Sequence, residues 1–303
     1  MDVNEYKKLV SLSLEEKIKL SLEQVRQFYE FFDGKVYVSF SGGKDSTVLL
    51  HLIRTQYPEA KAVFVDTGLE YPVIKDFVKT IPNVTTLRPK MSFCQVITKY
   101  GYPVISKEQA RWIRQYRTTK SEHLKNLRWN GDSKKHYKIS EKWKFLIDAP
   151  FKISDECCDV LKKRPFKLFE KETKLKPFIG NMATDSRIRM IIYLTNGCNF
   201  FSKVGSEKST PLAFWATDDV WAYIKKFNVP YCDIYNHGIQ RTGCIFCLFG
   251  IHKDKGQRFV ATKQLYPKLY DYCMNNLGIR EIIDYLNANS NANIVTEIEK
   301  KEV

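Results

Sequence analysis

An α/β fold built on an open parallel sheet is predicted by three features of this sequence. A short apolar run, Lys35 to Phe40 (KVYVSF), ends directly in a glycine loop, Ser41-Gly42-Gly43-Lys44-Asp45-Ser46. Thr47 to Tyr57 (TVLLHLIRTQY) reads as a helix beginning straight after the glycines, and Lys61 to Val65 (KAVFV) as a second buried strand. Strand, loop, helix and strand within about 30 residues make a βαβ unit, whose crossover forces a parallel, right-handed pair. Ligands of such sheets sit beyond the carboxyl ends of the strands, where both the glycine loop and Asp66-Thr67-Gly68 fall.

Ahead of this unit, Leu14 to Phe32 repeats apolar residues at helical spacing and stops at Asp33-Gly34. Farther along, Asp218 to Phe227 (DDVWAYIKKF) predicts an amphipathic helix capped by Thr217 or Asp218. Leu265 to Leu277 and Ile279 to Leu286 read as two closing helices separated by Gly278. Between about 117 and 150 the periodicity is weak, so an irregular inserted flap is expected there. In and beside it tryptophans and cations interleave (Trp112, Arg117, Lys125, Arg128, Trp129, Lys135, Trp143, Lys144), a mixture that suits base stacking and phosphate neutralisation as well as a solvated basic face.

With 303 residues, 44% of them hydrophobic, the chain can bury one large core, or one core plus a smaller unit. No apolar run reaches the roughly 18 residues needed to span a bilayer, and the N-terminal stretch is too charged for a secretory signal, so a cytoplasmic protein with no membrane partner is expected. Lys and Arg number 49 against 34 Asp and Glu, a formal charge of +15 that draws polyanions or phosphorylated small molecules. Eight cysteines in a reducing compartment call for a metal or redox reading rather than disulfides. Cys94 and Cys232 are expected to be packed in the core.

In the loop, two glycines present no Cβ, so the main chain can approach a phosphate closely. Its N–H groups and the following helix N-terminus supply an anion site. Ser41 and Ser46 add hydroxyls, Lys44 a cation, and Asp45 a carboxylate able to hold Mg²⁺. Lys44, Asp45 and Ser46 are the candidate catalytic residues. The GxxxxGK[ST] spacing of a Walker loop is absent.

SFSGGKDS resembles the PP-loop motif of the ATP pyrophosphatase (adenine nucleotide alpha hydrolase-like) superfamily. Further segments resemble the phosphoadenosine phosphosulfate (PAPS) reductase family over roughly Lys35 to His252: Val65-Asp66-Thr67-Gly68 with Glu70-Tyr71-Pro72, Cys157-Cys158 with Lys162-Lys163, Gly180 to Arg189 (GNMATDSRIR), and Pro211 to Trp215 leading into Asp219-Val220-Trp221. The resemblance implies a PP-loop/HUP-type sheet flanked by helices. It divides the chain into an N-terminal helical segment (1–34), a nucleotide-binding domain (35–230) and a small cysteine-bearing helical C-terminal region (231–303). It also implies that Asp66, Thr67 and Gly68 flank the adenine or ribose and that Ser186 and Arg189 contact the anion. Two departures stand out: Met182 occupies a position that is Arg in the reductases, and their C-terminal Glu-Cys-Gly-x-His tail is missing. Cys273 lies near where that nucleophile would come, inside a helix-like stretch that favours packing over reactivity.

The adjacent pair Cys157-Cys158 is followed, 86 residues after Cys158, by Cys244-Ile245-Phe246-Cys247. Four sulfur ligands suit a 4Fe-4S cluster or a tetrahedral Zn²⁺. The pattern is similar to that of the adenylylsulfate reductases, which implies one cubane cluster on all four thiolates. Cys198 stands as a reserve ligand, and Arg241, Lys162 and Lys163 are candidate neighbours of cluster or substrate anion. Three functions are expected, in this order. The first is ATP pyrophosphatase-type activation coupled to sulfur transfer, with a nucleic acid among the possible acceptors and a thiol or sulfur-donor protein as partner. The second is an oxidoreductase acting on an adenylyl sulfonucleotide. The third is a non-catalytic nucleotide- or nucleic-acid-binding regulator.

Overall fold

A computed structural model describes residues 1–201 and 207–296 of the chain. They form two compact units. The first comprises Met1–Asp66, Pro72–Arg88 and Pro165–Arg241, and the second Thr67–Tyr71, Pro89–Arg164 and Thr242–Val303.

Eight strands run in chain order: β1 (Val36–Ser39), β2 (Ala62–Val65), β3 (Val84–Leu87), β4 (Val104–Ile105), β5 (Lys176–Ile179), β6 (Asn199–Phe200), β7 (Lys208–Ser209) and β8 (Leu248–Phe249). The first unit holds a six-stranded sheet in the order β3-β2-β1-β5-β7-β6. All of its pairings are parallel except that of β6 with β7, so the expected open parallel sheet ends in one antiparallel edge. At the centre, β1 aligns Val38 with Ala62 of β2 and with Phe178 of β5. β1 and β2 are apolar because helices cover both faces of a central parallel strand, leaving almost no residue of either for water. Each large side chain buried there, such as Phe28, Phe64 or Phe178, contributes about 1.5–3 kcal/mol.

The helices explain where the sequence pattern was sufficient. Leu14–Phe31 forms as expected, opened by a capping box in which Ser13 and Glu16 satisfy each other's amides. It is stitched to the sheet layer by Ser21, which donates to Pro211 O (2.9 Å) and accepts from Trp215 Nε1 (2.9 Å). Lys17, nearly fully buried, reaches Asp219 at 2.7 Å. The helix after the loop begins at Lys44 rather than Thr47, because the loop's second half supplies its first turn. Thr217–Phe227 is not capped by Thr217 or Asp218; Ala216 caps it, its amide held by Asp219 Oδ2 at 2.7 Å.

In the second unit β4 and β8 pair in parallel, and helices dominate. Residues 117–150, expected to be irregular, carry the end of helix Lys107–Thr118, helix Glu122–Asn130 and a 3₁₀ segment, Glu141–Asp148. The Arg117 guanidinium ties helix Lys107–Thr118 to the 3₁₀ segment and the residues after it by donating to the carbonyls of Leu146, Ile147, Ala149 and Phe151 at 2.6–2.9 Å. The predicted helix at Leu265 to Leu277 is instead the last residue of helix Gln257–Leu265, then Pro267–Asp271 and a π turn, Tyr272–Asn276, because Pro267 starts a new helix. No helix among the described residues is long and apolar enough to cross a membrane.

Candidate functional site

The glycine loop leaves the carboxyl end of β1, and its geometry explains its residue types. Gly42 sits at φ +71°, and a Cβ there would lie 2.7 Å from Ile74 Cγ2 and 3.0 Å from Val78 Cγ2, so no other residue fits without displacement. The two serines lock the loop: Ser41 N–H donates to Ser46 Oγ (3.1 Å), the two hydroxyls stand 3.0 Å apart, and Ser46 Oγ donates to Gly43 O (2.9 Å). Thr47 Oγ1 also donates to Gly43 O (3.0 Å). Lys44 is buried, with its ammonium 2.8 Å from Asp45 Oδ1, so the loop holds a cation ready for an anion without leaving it unpaired. Gly180, at the end of β5, lies so near that an added Cβ would stand 3.2 Å from the Asp45 carbonyl. This brings the start of the GNMATDSRIR segment against the loop.

One partner of the loop was not legible in the sequence. Tyr235, on the 3₁₀ turn Asp233–His237, places its phenol oxygen where it accepts the Lys44 N–H at 2.8 Å. Its ring packs edge-on against Trp221 at 5.4 Å, a contact that only the folded chain creates. An oxygen atom thus already occupies one donor of the helix N-terminus, as an anion's oxygen would.

The other predicted contacts are placed as follows. Asp66, at the end of β2, receives Lys75 Nζ at 2.8 Å. Thr67 and Gly68 open the strap Thr67–Tyr71, where the Thr67 amide and hydroxyl both bind the Glu70 carboxylate (3.0 and 2.7 Å). Ser186 caps helix Arg187–Asn196, its hydroxyl accepting the Arg189 N–H at 3.3 Å. Arg189 pairs with Asp185, which also receives Arg241 at 3.0 Å. The largely buried Asp185 therefore holds two guanidiniums on the segment. Met182, where the reductase pattern carries Arg, is buried.

Cys157, Cys158, Cys244 and Cys247 all belong to the second unit. Cys157 and Cys158 open the helical turn before the π turn Asp159–Lys163, and Cys244 and Cys247 flank a tight turn closed by Cys247 N–H to Cys244 O (3.2 Å). That turn is fastened to the Thr67–Tyr71 strap by Ile245 N–H to Leu69 O (2.9 Å). Burial pushes the Cys157 and Cys244 thiols up and the Cys247 thiol up to about 12, each raised further by the charge of neighbouring members of the set. The four are thus in mutual electrostatic reach. Among the described residues, however, no three His, Cys, Asp or Glu side chains already stand as the closed shell of a metal ion. Burial opposes the Lys162 ammonium, but its charge interaction and hydrogen bond with Cys244 raise it above the ordinary lysine range. Arg258 donates to Cys247 O at 2.9 Å. Sheltered thiols with a cation donating to one of them fit the donor chemistry of a thiolate-bound metal cluster, whose binding must draw off the thiol protons.

The remaining thiols divide clearly. Cys273 is buried in its π turn and burial pushes its thiol up, which disfavours a nucleophilic thiolate. Cys198, in the first unit, is buried against Tyr193 with its thiol pushed up to about 12. Cys232 is buried as expected, whereas Cys94 is exposed, because it faces outward from helix Phe93–Tyr100 rather than into the core.

A nucleotide-type glycine loop on a parallel sheet defines a PP-loop α/β protein. A family model described as "Phosphoadenosine phosphosulfate reductase domain" matches residues 35–248, and the chain belongs to this PAPS reductase family of the PP-loop superfamily. It is 28% identical to an uncharacterized protein of Methanocaldococcus jannaschii over 85% of this chain and 52% of that one, so it spans about half of that relative's length. It is 25% identical to the adenosine 5'-phosphosulfate reductase of Lysinibacillus sphaericus, over 78% of this chain and 84% of that one. Among solved structures it is similar to the PAPS reductase of Candida auris (TM-score 0.45, 20% identity, 79% of this chain and 91% of that one). It is also similar to the U34-tRNA thiolase of Methanococcus maripaludis with its [4Fe-4S] cluster (TM-score 0.41, 15% identity, 95% and 86%).

Proposed function

We propose that this chain is an ATP-consuming PP-loop enzyme that activates an acceptor for sulfur transfer. An acceptor oxygen attacks the α-phosphorus of ATP, the bond to the β-phosphate oxygen breaks, and pyrophosphate leaves. A sulfur nucleophile then displaces AMP from the adenylated acceptor. The observation that carries this reading is the complete loop, with Gly42 in the left-handed region, the serines interlocked and Lys44 buried beside Asp45. In these roles the loop amides and Lys44 stabilise the leaving pyrophosphate, and Asp45 orients Mg²⁺ on the phosphates. Asp66, Thr67 and Gly68 are proposed to flank the nucleoside, and Ser186 and Arg189 to steer the acceptor anion.

Cys157, Cys158, Cys244 and Cys247 would hold a 4Fe-4S cluster, which when bound supplies sulfur ligation or single-electron chemistry. Lys162 would hold its hydrogen bond to Cys244 and keep that thiolate's charge compensated. A nucleic acid is the proposed acceptor, and a thiol or a sulfur-donor protein the proposed source of sulfur.

Reduction of an adenylyl sulfonucleotide is the second reading, favoured by the likeness to the adenosine 5'-phosphosulfate reductase of Lysinibacillus. The two separate when anaerobic protein is given ATP or adenylyl sulfate while pyrophosphate and sulfite are followed together. Pyrophosphate from ATP supports activation, whereas sulfite released with a thiol donor overturns it. Because Cys273 is buried with its thiol pushed up, Cys273→Ser is expected to leave turnover within about twofold of wild type. Its abolition would move the assignment to the reductase.

The Tyr235 phenol competes with a phosphate oxygen for the Lys44 amide, a hydrogen bond worth about 0.5–1.5 kcal/mol. Tyr235→Phe is therefore expected to tighten ATP by about two- to tenfold in a calorimetric titration. Weaker binding would instead make the phenol a contact of the bound nucleotide.

A further inference from the structure

We infer that the second unit binds single-stranded nucleic acid on a stacking platform built by Trp129 and the turn 131–137. The inference identifies a surface for the acceptor class named above, and its test reads binding without turnover, so either can fail alone.

Residues 107–152 carry 13 Lys and Arg against 5 Asp and Glu, a net +8 of the chain's +15. Much of that charge is structural: Arg117 serves the carbonyls described above, and Lys125, Lys138 and Lys144 pair with Glu122 or Glu141. The turn is different. Asp132 pins it, accepting the N–H groups of Lys134 (3.0 Å) and His136 (2.7 Å) while its own N–H donates to His136 O (3.0 Å). Arg128 then anchors it to the helices, donating to Tyr137 O (2.7 Å) and to Gln115 Oε1 (2.8 Å).

Held in this way, Lys135 and Tyr137 adopt φ +58° and +61°, a region that such side chains rarely occupy. The strained turn exposes Lys134, Lys135, His136 and Tyr137 together, with the Tyr137 ring 56% exposed. Lys134 and Lys135 have no acidic partner among the described residues. Next to the turn, Trp129 is 40% exposed, its indole 5.7 Å from the Tyr116 ring and 4.1 Å from the Lys144 ammonium. The exposed Tyr137 ring beside the unpaired Lys134 and Lys135 is what a base and its phosphates require, and Trp129, one face of which Lys144 covers, adds the exposed part of its indole beside it. An acidic polypeptide would use the cations and leave the rings idle, and a duplex would hide its base faces.

The test uses the full chain, a fluorescein-labelled 20-nucleotide single-stranded RNA, the matching DNA, and poly-glutamate of equal charge. Tyr137→Asn is chosen because asparagine tolerates the left-handed conformation. It is expected to weaken both oligonucleotides by about tenfold, the loss of one base–aromatic stack. Lys134→Glu combined with Lys135→Glu should flatten the dependence of log Kd on log salt by about 1.4, for two phosphates. The melting temperature and the circular dichroism spectrum should be unchanged in both, showing that the variants are folded. Wild-type oligonucleotide affinity in both variants would overturn the inference. So would poly-glutamate bound as tightly as the oligonucleotides and insensitive to Tyr137→Asn.

Discussion

Lys44→Ala is expected to lower ATP turnover by on the order of 10²–10³-fold while leaving the protein folded. The ammonium is buried in the loop and pairs with Asp45 Oδ1 at 2.8 Å, so it can turn to a phosphate by exchanging one oxygen for another. In the transition state for attack at the α-phosphorus, charge accumulates on the departing pyrophosphate, and a cation fixed in advance stabilises it without reorganisation. The stability cost is small by comparison. Removing the lysine leaves Asp45 with about a third of its side chain in water, where a lone carboxylate is well hydrated. Single-turnover rates at saturating ATP, with the melting temperature as control, check the prediction. Turnover within threefold of wild type would remove Lys44 from the chemistry.

The second large effect is at the thiols. Cys244→Ser is expected to abolish cluster loading, whereas Cys94→Ser should not change it. Cys244 takes the Lys162 hydrogen bond, stands in electrostatic reach of Cys157, Cys158 and Cys247, and lies on the turn fastened to the Thr67–Tyr71 strap. Cys94 is exposed on its helix. Iron and acid-labile sulfide per chain, measured after anaerobic purification, should fall to near zero in the first variant and stay at the wild-type value in the second. Equal retention in both would mean that the four-cysteine pattern holds no cluster. Because cluster binding and folding are coupled, the melting temperature of Cys244→Ser should fall as well.

The conformation of the glycine loop was legible from sequence because its determinants are local: two glycines, two serines, and a strand and a helix in immediate succession. The contact of Gly180 with Asp45 and the phenol of Tyr235 on the Lys44 amide were not, since each joins residues more than a hundred positions apart. The thiol set was visible as spacing, but the role of Lys162 depended on the π turn that carries it beside Cys244. Segment 117–150 is helical where the sequence shows no periodicity, for a physical reason. Helix Glu122–Asn130 buries none of its side chains, so it has no apolar stripe to detect. It is defined instead by its Ser121 cap and by Arg128, which donates to Gln115 Oε1 of the preceding helix and whose carbonyl accepts the Ile139 N–H. Ser186 and Arg189 were expected as anion contacts on resemblance, and the fold gives them a cap and an ion pair with Asp185.

On the proposed function, the loop directs cleavage to the α-phosphorus. The most direct measurement is to incubate the anaerobic enzyme with Mg²⁺, ATP labelled at the α-phosphate and single-stranded RNA, and to separate the products of one turnover. Label is expected in AMP or in adenylated RNA, with one pyrophosphate released for each. Label in ADP, accompanied by inorganic phosphate, would contradict it.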